Sequence, residues 1–252
     1  MATTSFGSAT TQMTALSRLG LRQMEQGRKS EERKNAFINS ICHEVRTPLN
    51  SIAGFSELLC ADEVSPEAHD QYCQIIHESR RQLRYLFEDM LEVSYLENLT
   101  EPLPRSYLNL CALCRSQLRA MKIRCPKTGV AYADGIPAET IAVVSSEKYL
   151  GVLLSALLGN AYKFTREGHI RLECGREGDE RVYIAVTDTG CGIPPEKYDQ
   201  AFERFTKLDP FSQGNGLGLY LCRLIVRHLG GEIRIDPEYT EGTRIVVVLP
   251  RK

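Results

Sequence analysis

Residues 37–50 read Phe-Ile-Asn-Ser-Ile-Cys-His-Glu-Val-Arg-Thr-Pro-Leu-Asn, and their helical geometry turns a histidine outward beside an acid and a hydroxyl. At roughly 100° per residue, Phe37, Ile41, Val45, Pro48, Ile52, Phe55 and Leu59 fall within about 80° of one another, and His43 lies roughly 200° from their centre. Asn39 and Thr47 sit one turn to either side of His43 on the solvent face. An exposed imidazole next to Glu44 can attack an electrophile, because the carboxylate can hold one ring N–H or accept its proton while the other nitrogen stays neutral. Thr47 offers a hydroxyl on the same face. Pro48 has no N–H and crowds the carbonyl of Glu44, so the helix should bend just past the histidine. A zinc motif His-Glu-x-x-His is excluded, since the second histidine position holds Thr47.

A second group of residues suits a nucleotide. Asn160 and Lys163 end an apolar helical run, where a side-chain amide oxygen can hold Mg²⁺ and an ammonium can meet phosphate. Asp188-Thr189-Gly190-Cys191-Gly192-Ile193-Pro194 puts a carboxylate at a strand end before two glycines. The acid can accept a hydrogen bond from an exocyclic amine such as that of adenine, and the glycines admit a flat ligand near the backbone. Gly214-Asn215-Gly216-Leu217-Gly218-Leu219 opens a helix, whose free N–H groups and positive dipole end can face phosphates. It follows a loop and not a strand, so it is not a dinucleotide fingerprint. Between these lies Phe202-Glu203-Arg204-Phe205-Thr206-Lys207, which leads into a segment able to close over a nucleotide.

Taken in order, these motifs resemble two joined modules. The segment around His43 resembles the phosphoacceptor box of sensor histidine kinases, the enzymes of two-component signalling. The Asn box, Asp-x-Gly-x-Gly, Phe-x-x-Phe, Gly-x-Gly-x-Gly and final Gly242-Thr243 resemble the ATPase domain shared by histidine kinases and gyrase. The resemblance spans about residues 30 to 252. It implies that His43 takes phosphate from ATP, that Glu44 acts as base, and that Thr47 helps dephosphorylate a partner. It further implies that Asn160 holds Mg²⁺, that Asp188 holds adenine, and that Gly190, Gly192, Gly214, Gly216, Leu217 and Gly218 form the loops around the nucleotide. Lys163 or Arg204 would meet the phosphates. One position departs from the family pattern: Ala156 stands one turn before Asn160, where a second Asn is usual.

The elements that must position these groups follow from patterning. Residues 1–29 read as a flexible start and a lead-in helix, 30–99 as a dimerisation and phosphoacceptor domain, and 106–252 as an ATP-binding domain, with prolines 102 and 104 in the linker. A turn over Asp62 to Pro66 separates two amphipathic helices, the second bearing Tyr72, Ile76, Leu83, Leu86, Phe87 and Met90 on one face. Such a helical hairpin leaves apolar stripe exposed, and a dimeric four-helix bundle buries it. Packing of the stripes on the second domain is the alternative. Beyond residue 106, seven short β runs alternate with helical segments near 111–123, 147–163 and 217–229, the pattern of an α/β sandwich.

Composition narrows the rest. With 31 basic and 32 acidic residues the net charge is −1, which gives no bulk attraction to nucleic acid or anionic membrane. No run approaches the roughly 18 apolar residues of a membrane span, and the nine cysteines read as reduced thiols, so a cytoplasmic protein is expected. Cys111 and Cys114 form a CxxC without a second pair at zinc spacing, and read as structural. The expected activity is that of an ATP-dependent protein histidine kinase, a homodimer that uses ATP and Mg²⁺ and passes its phosphoryl group to an aspartate on a separate response regulator receiver domain. A degenerate kinase acting as a docking or phosphatase scaffold is the second reading, prompted by Ala156. A gyrase-like ATPase is disfavoured, since Glu would be expected at position 156.

Overall fold

The computed structural model describes residues 38–61, 64–124, 127–204, 206 and 216–252. Phe37, Asp62, Phe205, Lys207, Gly214 and Asn215, to which the sequence reading assigned parts, lie outside them. The chain divides into two units at Ser79 and Arg80.

In the first unit, α1 (residues 38–59) buries Pro48 and half-buries Ile41, Val45, Ile52, Phe55 and Leu59, while His43 and Thr47 are exposed. The stripe and the outward histidine are both as the wheel requires. Thr47 Oγ1 donates to the carbonyl of His43 at 3.2 Å, and Ser51 Oγ to that of Thr47 at 3.2 Å, a back-bonding pattern that accompanies bent helices. Helix α2 (Pro66–Asn98) begins on an N-cap: Ser65 Oγ accepts the N–H of Ala68 at 3.2 Å, and Pro66 takes the first helical position, where no N–H is needed. The rings of Phe55 and Tyr72 meet 5.4 Å apart between the two helices.

The second unit contains the rest of α2 and a two-layer sandwich. Its sheet has the order β2-β4-β5-β7-β6, built from β2 (Val130–Gly135), β4 (Gly168–Glu177), β5 (Arg181–Asp188), β6 (Glu232–Ile235) and β7 (Thr243–Pro250). β2 runs parallel to β4 and the other pairs are antiparallel. Helices α3 (Leu110–Arg124), α4 (Glu147–Phe164) and α6 (Gly218–His228) pack on one face, and β1 (Ser106–Asn109) pairs with β3 (Ala142–Ser145) in a small second sheet. A short α5 (Tyr198–Ala201) follows β5. Leu110 begins α3, and Asn109 Oδ1 caps that helix by accepting the N–H of Ala112 at 3.3 Å.

The core is aliphatic: Leu150, Leu153, Leu154 and Leu157 of α4 meet Ile170, Leu172 and Ile184 of the sheet, all at most 1% exposed. Val93 and Leu96 of α2 belong to the same core, so the last turns of that helix pack on the sandwich. Phe87 departs from the expected face and stays 49% exposed. Cys111 and Cys114 are buried on α3, with Cys174 Sγ of β4 3.8 Å from Cys111 Sγ. Burial pushes the Cys111 thiol up, and Cys174 is raised further, chiefly by its contact with Cys114. Protonated, desolvated thiols of this kind are poor nucleophiles and poor metal ligands.

Candidate nucleotide site

Asp188 is the last residue of β5, in register with Ile170 of β4 and Thr243 of β7, and only 6% of it is exposed. Burial raises its carboxyl to about 6, against the opposing pull of the backbone N–H groups of Gly190 and Thr243 and of His169. The Gly190 N–H reaches Asp188 Oδ1 at 2.8 Å. The loop that follows is pressed tight. A Cβ at Gly190 would lie 2.6 Å from the Phe164 carbonyl oxygen, and Gly192 has φ +71°. Thr189 Oγ1 accepts the His169 N–H at 2.9 Å and ties the loop to β4. An acceptor carboxylate thus stands fixed at the end of the sheet's central strand, where it can pair with a ligand N–H.

Helix α4 presents Asn160 and Lys163 from its last turns. Their position is set by an end cap that sequence reasoning missed. Lys127 Nζ donates to the carbonyls of Tyr162 at 3.0 Å and Thr165 at 2.6 Å, with its ammonium 4.8 Å from the centre of the Tyr162 ring. Buried Thr165 Oγ1 donates to the Ala161 carbonyl at 2.7 Å. The Ala161 and Tyr162 carbonyls of the last turn are therefore satisfied, and a cation faces the negative end of the dipole. Thirty-five residues separate Lys127 from Tyr162, so no local spacing announces the contact.

The Asn160 amide comes beside the start of α6: a Cβ at Gly218 would lie 3.6 Å from Asn160 Nδ2 and 3.7 Å from Oδ1. Asp188, Asn160, Lys163, Gly192, Gly216 and Gly218 together line a cavity of about 870 Å³. Ala156 lies on the same wall, where it offers only a methyl group. Val152, Ile193 and Ile245 make part of the wall apolar, which suits a flat ring. Helix α2 supplies a further wall through Tyr85, Glu88, Asp89 and Glu92, a contribution its sequence does not signal.

Three candidates are placed differently. Gly190 serves the site from behind, through its N–H to Asp188. Leu217 is 1% exposed and anchors the start of α6. Arg204 does not line the cavity. Its guanidinium pairs with Glu97 and stands 5.1 Å from the centre of the Tyr220 ring. Gly214 lies outside the described residues, and His43, Glu44 and Thr47 belong to the first unit.

A mixed sheet with helices on one face, a carboxylate at a strand end, an Asn helix beside it and a glycine-opened helix define an ATP-binding domain, and comparison with known proteins agrees. Residues 145–252 match the family described as histidine kinase-, DNA gyrase B- and HSP90-like ATPase, and residues 33–99 match the His Kinase A phospho-acceptor domain. The histidine protein kinase DivJ of Caulobacter vibrioides is 31% identical over 219 residues, covering 85% of this chain and 37% of that protein. The autoinducer 2 sensor kinase/phosphatase LuxQ of Vibrio cholerae is 31% identical over 222 residues, covering 85% of this chain and 26% of that protein. The chain therefore spans well under half the length of these relatives. Among solved structures, full-length ShkA in complex with AMPPNP superposes with a TM-score of 0.65 at 26% identity, over 82% of this chain and 44% of that one. ThkA in complex with the response regulator TrrA shares the fold, with a TM-score of 0.70 at 23% identity, over 92% of this chain and 67% of that one. The chain belongs to the histidine kinase family and carries that family's phospho-acceptor and ATP-binding domains.

Proposed function

We propose that this chain moves the γ-phosphoryl group of Mg-ATP onto His43 and then to an aspartate of a response regulator. The observation that carries the reading is the cavity in which Asp188, Asn160, Lys163 and Gly218 converge, in the same chain as an exposed His43 followed by Glu44. Asp188 would accept the adenine amine, Lys163 would meet phosphate, and the opening N–H groups of α6 would face the phosphate chain. Glu44 would hold the imidazole so that its free nitrogen can attack, and Thr47 would serve in removing phosphate from the regulator. Catalysis on this plan is positioning and charge neutralisation.

Magnesium fits the residues present. Among the described residues no group of three His, Cys, Asp or Glu is placed to hold a metal. Mg²⁺ commonly enters with substrate phosphates and needs one or two protein oxygens, which the Asn160 amide beside Gly218 can supply. Bound there, it would neutralise charge on the phosphates. The complexes of ShkA with AMPPNP and of ThkA with TrrA support the same nucleotide class and partner class for this chain. Exposed Leu49, Leu58 and Ile75 on the hairpin support a homodimer. Among the described residues no helix is long and apolar enough to cross a membrane, which is compatible with a cytoplasmic kinase core.

Ala156 on the cavity wall favours a second reading, a weak kinase that serves as a docking or phosphatase scaffold. Incubation with labelled Mg-ATP separates the two. Acid-labile, base-stable phosphate should appear on the unmodified chain and not on His43→Gln, and Ala156→Asn should raise its rate by roughly tenfold, the worth of one charge-assisted contact. Nucleotide binding without any phosphohistidine would leave the scaffold.

A further inference from the structure

Arg204, one of two cationic side chains read as phosphate ligands, is engaged elsewhere. Its guanidinium pairs with Glu97 Oε1 in the last turn of α2, and Tyr220 of α6 donates its hydroxyl to the same oxygen. Arg204 also stands over the Tyr220 ring, with Arg223 5.5 Å from that ring's centre. Glu97 is thus held from α6 while it holds Arg204. The end of α2 has its own anchors on the sandwich: Val93 and Leu96 are buried, Lys148 Nζ meets Glu92 Oε1 at 2.6 Å, and His228 Nε2 lies 2.6 Å from the Leu96 carbonyl oxygen. The seating of the helix therefore does not rest on Glu97 alone. The Arg204 side chain is 41% exposed and that of Glu97 is 23% exposed, so the pair keeps access to water and can exchange partners.

We propose that Glu97 is a positioning residue that draws Arg204 away from the nucleotide cavity, so that the Glu97 carboxylate and the phosphates of a bound nucleotide compete for one guanidinium. The proposal rests on the reading of the cavity as an ATP site. A triphosphate carries more charge than one carboxylate and accepts a guanidinium fork in two hydrogen bonds, so nucleotide would win Arg204 at a reduced net affinity. Since α2 continues from the phosphoacceptor unit, the occupancy of this one ion pair would tie the state of that helix to nucleotide affinity, and the tie is reciprocal.

The test is the sign of two substitutions in the full chain. Glu97→Gln keeps an acceptor for Tyr220 and removes the charge that holds Arg204. Binding of a Mg²⁺-bound fluorescent ATP analogue should tighten by roughly fivefold, at the low end of known site couplings, with KM for ATP falling and kcat unchanged. Arg204→Met should weaken binding, and the double variant should match Arg204→Met alone. Thermal melts confirm that each variant is folded. If Glu97→Gln and Arg204→Met shift binding in the same direction, the pair is a plain structural clamp and the proposal is overturned. Unchanged binding in Glu97→Gln beside a binding-competent unmodified chain overturns the proposal alone, whereas no binding in any form removes the ATP reading with it.

Discussion

Asp188 shows how one residue can serve a ligand at the expense of its own fold. Its carboxyl titrates near 6, above the 3.8 of a free aspartate, because burial disfavours the charge. A group whose folded pKa is raised binds its proton more tightly in the native state, so it favours folding at low pH, and that contribution is lost as pH rises through about 6. Two pKa units correspond to roughly 3 kcal/mol at most, so Asp188→Asn should raise the Tm of the nucleotide-free protein at pH 8, and the gain should disappear near pH 4. The same substitution should abolish nucleotide binding. In the unmodified chain, binding of the ATP analogue should weaken as pH falls from 7 to 5, as the acceptor becomes protonated. A melt series across pH, run beside a binding titration, checks both halves.

Among the elements, α4 shows what a sequence reveals and what it hides. Its extent was legible, because the leucines at 150, 153, 154, 157 and 158 mark one face and Asn160 and Lys163 follow them at the end. The seven β runs were equally legible, since apolar and β-branched residues mark them and glycines flank β2, β4, β5, β6 and β7. The hidden part is tertiary. Lys127 caps α4 from 35 residues before Tyr162, and Glu97 captures Arg204 across 107 residues, separations no periodicity spans. Burial of Val93 and Leu96 against the sandwich was equally invisible, because a helical stripe names a face and not its partner. Lys127→Met should leave the Tyr162 and Thr165 carbonyls without their ammonium, lowering stability by about 1–3 kcal/mol in chemical denaturation. It should also raise KM for ATP, since the turn that presents Asn160 and Lys163 loosens. Lys127→Arg should restore most of both.

For the whole molecule, the apolar surface of the hairpin sets the expected state of association. Leu49, Leu58 and Ile75 are 52%, 47% and 37% exposed, an arrangement a lone hairpin in water does not favour. Sedimentation equilibrium should give about twice the chain mass, and Leu49→Glu with Leu58→Glu should shift it toward the monomer while the melting of the ATP-binding unit is retained. The described thiols offer a way to watch such a molecule at work. Cys111, Cys114, Cys174 and Cys222 are sealed in the core, while Cys42 beside His43 and Cys191 on the cavity wall are open to solvent. With Cys60, which is also exposed, and half-buried Cys73 replaced by Ser, an alkylating reagent applied to the native protein should report on the surroundings of His43 and on the cavity, and the degree to which nucleotide shields Cys191 should gauge how full the cavity is.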